Sequence, residues 1–471
     1  MNQKKTTFAL MLANRGFFPG SLMDAARDEL TETLAELGHQ VIMMPKESTR
    51  FGAVETPEEG KLFARFLHEN KGEYGGVIVS LPNFGDENGA VEALKDAGVP
   101  ILIHAYPDDL DKMAPENRRD AFCGKLSIMD VLKQNNVPFT ALKPHVVSPK
   151  SERFKENIEY FDRVCRVAGG VKGMRVGAIG ARTTAFKTVR IDELALQKHG
   201  ITMETVDLSE VFKRMRDIDP AGSAYKNKKE KLTGIGSWKE VPDNATDNLT
   251  RLAVVLEQLA EEMELDAMAV RCWIEMQEQL GISPCVVLGE LIDNGIPAAC
   301  EVDVGNAVTM YALSLASGKS ATCLDWNNNY GEDDNRCILF HCGPVPESLM
   351  DGRGTVTDHG ILQNAVGKGC SYGCNQGRIA PGQFSFGSLT TVDGRISCYL
   401  GTGEFTTDEI PEEFFGCAGV AKIPGLQDVL LHIGRNGHRH HVSVTPGNVI
   451  MPVREALSYY LGFEIALPQR D

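Results

Sequence analysis

The chain has 471 residues, 64 acidic and 48 basic, for a formal net charge of −16 with 42% hydrophobic residues. At roughly 100–200 residues per domain that length implies two to four globular domains. The acidic balance excludes a surface built to neutralise nucleic-acid phosphates, and no run approaches the roughly 20 apolar residues of a membrane span, so neither nucleic acid nor membrane is expected as a partner.

The opening MNQKKTTFALMLANRGFFPG starts basic, but FALMLA is shorter than the roughly 7–15 residues of a secretory signal core and no small-residue cleavage site follows. It reads as a first strand, and the protein as cytoplasmic with its 12 scattered cysteines reduced. A helix pattern, SLMDAARDELTETLAELG, follows, opened by a Ser21 cap and closed by Gly38. Strand HQVIMM, a helix from about Pro57 to Asn70, strand YGGVIVSLP, helix DENGAVEALKDAG and strand VPILIHAY complete a βαβ rhythm, so residues 1–165 are expected to form a doubly wound parallel-sheet domain.

The rhythm restarts after SERFKENIEYFDRVCRVAGG with strand MRVGAIGA and runs to strand KSATCLDW, which predicts a second α/β domain over 166–326. Residues 219–246, rich in Gly, Lys, Asn and Pro, are read as an inserted loop, and the Lys226 to Lys231 run within it as solvated. From 327 to 471 short alternating runs such as RCILFHCG, QFSFGSLTTVDGRISCYLG and VLLHIG predict a β-rich antiparallel domain, closed by a helix at REALSYYLG and a short strand near FEIALP.

Two familiar motifs fail on spacing. GAIGA at 177–181 follows a strand but lacks G-x-G-x-x-G, so its glycines are assigned to a strand-to-helix turn rather than to dinucleotide binding. Cys370 and Cys374 have neither the two-residue spacing nor the second pair of a zinc knuckle. More informative are Glu301 in AACEVDVGNA and Asp325 in ATCLDWNNNY, acids at the ends of apolar strand patterns, followed by His341, His359, His432, His438, His440 and His441. Ligand chemistry in an open parallel sheet gathers beyond the carboxyl ends of its strands, and a carboxylate in apolar surroundings must be paired, hydrogen-bonded or metal-bound. Two carboxylates with imidazole suit a divalent cation such as Mn²⁺, Co²⁺ or Mg²⁺. The alternative is that the acids cap helices or pair with Arg and the histidines lie at the surface.

In these residues and their order, the chain resembles the L-fucose and L-arabinose isomerases along essentially its whole length. LMLANRGFFPG resembles the family's first strand and substrate loop, and GAIGAR the start of its second domain. The resemblance implies two α/β domains followed by a β-rich one, a divalent metal with Mn²⁺ foremost, and aldose–ketose isomerisation through an ene-diolate. It implies that Glu301 and Asp325 are metal-binding and proton-transfer acids, and that His341 in ILFHCGPVP and His441 in GHRHHVSV are metal-site histidines. Strand alternation at 438–441 instead puts His438 and His440 on one face and His441 on the other; the resemblance favours His441. It further implies a trimer-based homo-oligomer, commonly a hexamer, in which the first domain of one subunit closes a neighbour's active site at the interface and brings Arg15, Phe17 and Phe18 to the sugar. Trp326, Asn327 and His440 are expected to contact substrate from the site's own chain. Arg15 stands where the arabinose branch has an uncharged residue, and a guanidinium suits an anionic sugar such as sulfoquinovose; equally, it suits sugar hydroxyls or a neighbouring acid. A neutral aldose of the L-fucose or L-arabinose type, or a non-catalytic sugar-binding protein, are the competing readings.

Overall fold

A computed structural model of the chain describes residues 4–469. The first three and last two residues, at the ends of the first and third expected domains, lie outside them. The described residues form two compact units, one built from the chain up to Gly169 together with Glu455–Leu461, the other from Gly170–Arg454 and the segment from Gly462 on.

In the first unit, β1 (Phe8–Leu12), β2 (Val41–Met43), β3 (Gly76–Leu81) and β4 (Ile101–Ala105) form a parallel sheet in the order β2-β1-β3-β4. β1, β3 and β4 are buried along their whole length, as near-continuous apolar strands are in a sheet covered on both faces. Helix Pro57–Glu69 starts where the sequence places it, with Pro at its first position and the Thr56 hydroxyl accepting from Glu59 N. Ser21 occupies the N-cap of helix Leu22–Glu36 without a side-chain capping bond. The closing helix, Ile450–Glu455, continues into a wide turn over Ala456–Tyr460, whose Tyr460 hydroxyl meets Ile101 O at 3.2 Å and Thr140 Oγ1 at 2.9 Å and so fastens this segment to β4.

The second unit opens with β5 (Arg175–Ile179), β6 (Thr202–Val206), β7 (Ala267–Val270) and β8 (Ala298–Cys300), again parallel and ordered β6-β5-β7-β8. Then come β9 (Thr322–Asn329), β10 (Arg336–His341), β11 (Thr355–Asp358), β12 (Tyr372–Arg378), β13 (Gly382–Val392), β14 (Arg395–Phe405), β15 (Cys417–Lys422), β16 (His441–Pro446) and β17 (Glu464–Ala466). The pairings β10-β9-β16-β13-β14-β15 and back to β10 are all antiparallel and close a barrel, flanked by β12 with β11 and by β17. The fold is thus two parallel-sheet α/β regions followed by an antiparallel β-rich barrel.

Three elements differ from expectation. The segment read as a loop at 219–246 holds helix Ser223–Gly234 and the start of helix Asp243–Glu262. Tyr225, Lys228 and Leu232 are buried at helical spacing, and Lys228, instead of being solvated, bonds Glu290 at 2.8 Å and Glu257 at 3.1 Å. VLLHIG belongs to helix Leu426–Arg435, which buries Leu426, Val429 and Ile433; a short apolar run does not by itself distinguish the two periods. KSATCLDW enters the barrel as β9 rather than ending the second parallel sheet, because Leu324 packs with Phe386, Val442 and Val444 in the barrel core.

Candidate metal and active site

β8 stops at Cys300, and the next two residues, Glu301 and Val302, adopt φ of 63° and 58°. A β-branched residue there is an outlier of the kind that collects at functional sites. The turn it makes lets two acids two residues apart serve different ends. Asp303 caps helix Val304–Ser317 by accepting from Asn306 N, while Glu301 lines a cavity of about 240 Å³ with Trp273, Asp325, Phe340, His341 and His359. Trp273 Nε1 donates to Glu301 Oε1 at 2.9 Å.

The other side chains come from the barrel. β16 pairs with β9 so that His441 stands opposite Asp325, and β10 ends at His341. His441 Nδ1 lies 2.8 Å from Asp303 Oδ2, and its Nε2 lies 2.8 Å from Glu301 Oε2 and 3.4 Å from Asp325 Oδ1. With Nδ1–H given to Asp303, Nε2 faces both carboxylates as a lone pair, and facing acceptors need a proton or a cation between them. His341 Nε2 is buried without a hydrogen-bond partner among the described residues, and His441 Nε2 and Asp325 Oδ1 face each other at 3.4 Å beside the ion pair to Glu301. Candidate ligand atoms of Glu301, His341 and His441 lie within 4.8 Å of one another, as do those of Asp325, His440 and His441. Imidazole nitrogens converging on carboxylate oxygens, one of them without a partner, fit a divalent cation of intermediate hardness.

The electrostatics agree. Burial works to raise the Glu301 carboxyl, but the His441 and His341 rings and the Trp273 N–H hold it down at about 2. Burial likewise opposes ionisation of Asp303, and Arg439 followed by His441 overrides it, holding Asp303 below the usual carboxylate range. For His341, burial disfavours the charged ring, yet Cys342, Asp325 and Glu301 bring it up to about 9. Burial pushes the neighbouring His359 down to about 4 and also lowers His440, so the preference for positive charge holds at the ring of His341, beside the acids, and not at every ring of the pocket.

His440 joins the cluster from its exposed rim, with Nε2 3.8 Å from Asp325 Oδ1. His438 lies elsewhere, edge-on to Tyr399 and stacked on His432. The alternation argument at 438–441 does not apply because the strand begins only at His441. Trp326 packs edge-on to Phe386 and donates to the Tyr399 hydroxyl at 3.0 Å, away from the cluster. Asn327 is exposed and lines a shallow apolar pocket with Phe340 and Phe415. Arg15, Phe17 and Phe18 stand in the first unit. There Arg15 Nε donates to Gly85 O at 2.7 Å, Nη2 bonds Glu87, and the guanidinium lies 4.7 Å over the Phe84 ring.

Asp303, Arg439 and Trp273 were missed from sequence. Arg439 is the largest fully buried side chain, its Nη1 bonded to Asp303. Both residues sat inside the motifs already singled out, and an acid directly before a helical pattern is an N-cap signal that could have flagged Asp303. Trp273 carried no local signal.

Residues 9–172 match the fucose/sulfoquinovose isomerase N-terminal domain, and residues 339–467 the L-fucose isomerase C-terminal domain. A sulfoquinovose isomerase from Priestia aryabhattai is 22% identical over 391 residues, 82% of this chain and 84% of the relative. Another from Alkalicoccus urumqiensis is 22% identical over 397 residues, 83% of this chain and 85% of the relative. A third, from Clostridium sp. (strain MSTE9), is 25% identical over 231 residues, 48% and 51% of the two chains. No helix among the described residues is long and apolar enough to cross a membrane.

Proposed function

The chain belongs to the fucose/sulfoquinovose isomerase family and is an aldose–ketose isomerase, and we propose that it converts an open-chain hexose with an anionic C6 group, sulfoquinovose, to its 2-ketose. The expectation of a non-catalytic sugar binder falls with that assignment. The observation that carries the site is the convergence of Glu301, His341 and His441, with His341 Nε2 orphaned and His441 Nε2 facing both Glu301 and Asp325. Glu301, Asp325, His341 and His441 are assigned to a divalent cation, Mn²⁺ foremost and Co²⁺ or Mg²⁺ as substitutes. When bound, such a cation polarises the C1 and C2 oxygens and stabilises the charge of the ene-diolate.

The chain's own groups supply the rest. Trp273 orients Glu301 by holding one oxygen, and the other, 2.8 Å from His441 Nε2, is assigned to take the C2 proton. Glu301 returns that proton to C1 as the O2 hydroxyl proton passes to O1; in the alternative, Asp325 takes the O2 hydroxyl proton and delivers it to C1 from the opposite side, while Glu301 gives its proton to O1. Asp303 keeps the proton of His441 on Nδ1, and Arg439 balances the Asp303 charge. His440 and Asn327 are assigned to the sugar chain, whereas Trp326, expected there from the sequence, packs on Phe386 and bonds Tyr399 instead. A trimer-based homo-oligomer, a hexamer, would let a neighbour's first domain present Arg15, Phe17 and Phe18, and Phe17 is 82% exposed. Twelve free cysteines suit the reducing cytoplasm.

One observation favours a neutral sugar, namely that Arg15 already holds a neighbouring acid, Glu87. Catalytic efficiency on sulfoquinovose against L-fucose decides between them, and a strong preference for L-fucose defeats the anionic reading. A chelator-sensitive ketose assay with metal analysis tests the cation.

A further inference from the structure

An anionic sugar needs a cationic receptor, and the loop after β5 offers one beside the cluster. ARTTAFKTVR, residues 181–190, carries Arg182, Lys187 and Arg190 and no acid, in a protein whose net charge is −16. It leaves the carboxyl end of β5, which is flanked by β6 and β7, the point in the sheet where ligand crevices form.

The loop is pinned rather than loose. Gly180 turns at φ of 87°, and a Cβ there would meet the Arg271 Cβ at 2.8 Å. Thr183 Oγ1 donates to Trp273 O at 3.3 Å, and Val189 is buried. Between these anchors the Phe186 ring lies edge-on to Trp273 at 5.8 Å and to His440 at 5.4 Å, and 5.7 Å from His441. The loop therefore borders the cluster through Phe186, with Arg182 and Lys187 on either side in sequence.

Arg182 Nη1 donates to the carbonyls of Thr183 at 3.1 Å and Thr184 at 3.3 Å, which fixes one end of the guanidinium. Among the described residues neither its Nε nor its Nη2 has a protein partner. That Nε–Nη2 edge is a parallel pair of donors matched to two oxygens of a sulfonate, phosphate or carboxylate. Arg15 has filled the same edge with Gly85 O and Glu87.

We infer that Arg182, through its open Nε–Nη2 edge and with Lys187 as a second charge, is the specificity-determining receptor for the anionic group at the far end of the sugar. The inference rests on the substrate reading above, and the test separates the two. Steady-state kinetics of Mn²⁺-loaded wild type, R182Q, R182K and K187Q are run on sulfoquinovose and L-fucose, with calorimetric binding of the unreactive 6-deoxy-6-sulfo-D-glucitol. R182Q is expected to raise the sulfoquinovose KM and weaken sulfohexitol binding by about tenfold or more with kcat moved less than about threefold. R182K, which keeps the charge and loses the fork, should fall between, and K187Q should cost about threefold. Unchanged sulfohexitol affinity in R182Q, or an equal rise in KM for both sugars, overturns the role of Arg182 and leaves the substrate standing. A wild type that prefers L-fucose and does not bind the sulfohexitol overturns both.

Discussion

The two parallel sheets share one strand order, β2-β1-β3-β4 and β6-β5-β7-β8, yet their carboxyl ends are chemically opposite. At the first, Asn14 and Asn83 are fully buried: Asn83 donates to Asn14 and accepts from Arg15 N, Asn14 donates to Glu55, and the Arg15 side chain to Glu87. At the second, Glu301 follows its strand in a left-handed conformation and faces His441 Nε2 at 2.8 Å beside His341, whose Nε2 has no hydrogen-bond partner among the described residues. The same topology therefore holds a closed polar network in one place and an incomplete one in the other. Topology says where a ligand can bind, and unsatisfied buried groups say where one is needed.

Glu301→Gln is expected to be the most severe break, lowering turnover by about 10³-fold or more with circular dichroism unchanged; undiminished activity would remove Glu301 from catalysis. Asp303→Asn should cost about 10–100-fold in metal affinity by freeing the His441 tautomer, read by calorimetric titration of the metal-free protein. The same change leaves the fully buried Arg439 without its counter-charge, so the second unit should also melt earlier.

The His341 shift gives a pH test. Its folded value, up at about 9, lies above the ordinary value of 6.5, so its contribution to stability is complete below pH 6.5 and is lost as pH rises through about 9. Calorimetric melting of the metal-free protein should show this decline, and His341→Gln should flatten it. Glu301 runs the other way: held at about 2 against an ordinary 4.5, it stabilises above about pH 4.5 and loses that as pH falls through 2. The smallest effect on the site is expected at the closed network. Asn14→Ala should cost about 1–3 kcal/mol of stability in the first unit, measured by denaturant melts, while metal stoichiometry stays at the wild-type value.

Much of this was legible because it was local. Apolar strands alternating with amphipathic helices marked both parallel sheets, and Glu301 stood out by following an apolar strand. Helix Ser223–Gly234 was hidden because its polar composition conceals three buried positions, one of them a lysine whose burial depends on Glu290. VLLHIG was hidden because six residues do not distinguish a period of 2 from one of 3.6. Asp325 was noticed for the wrong reason: it lies within a barrel strand, opposite His441, and not at the end of a parallel one.

By itself the sequence determined the alternation of layers and the β-rich finish, and it supplied the residue types of a candidate cation site, since periodicity and composition are properties of neighbouring residues. Only the tertiary structure decided which acids and histidines meet. Glu301 and His441 are 140 positions apart and come within 2.8 Å because β16 pairs with β9 and helix Val304–Ser317 carries Asp303 beneath the ring. It also decided which arginine is free. Arg15 and Arg182 are alike as letters in a chain of net charge −16, and the acid beside one and the carbonyls beside the other set them apart.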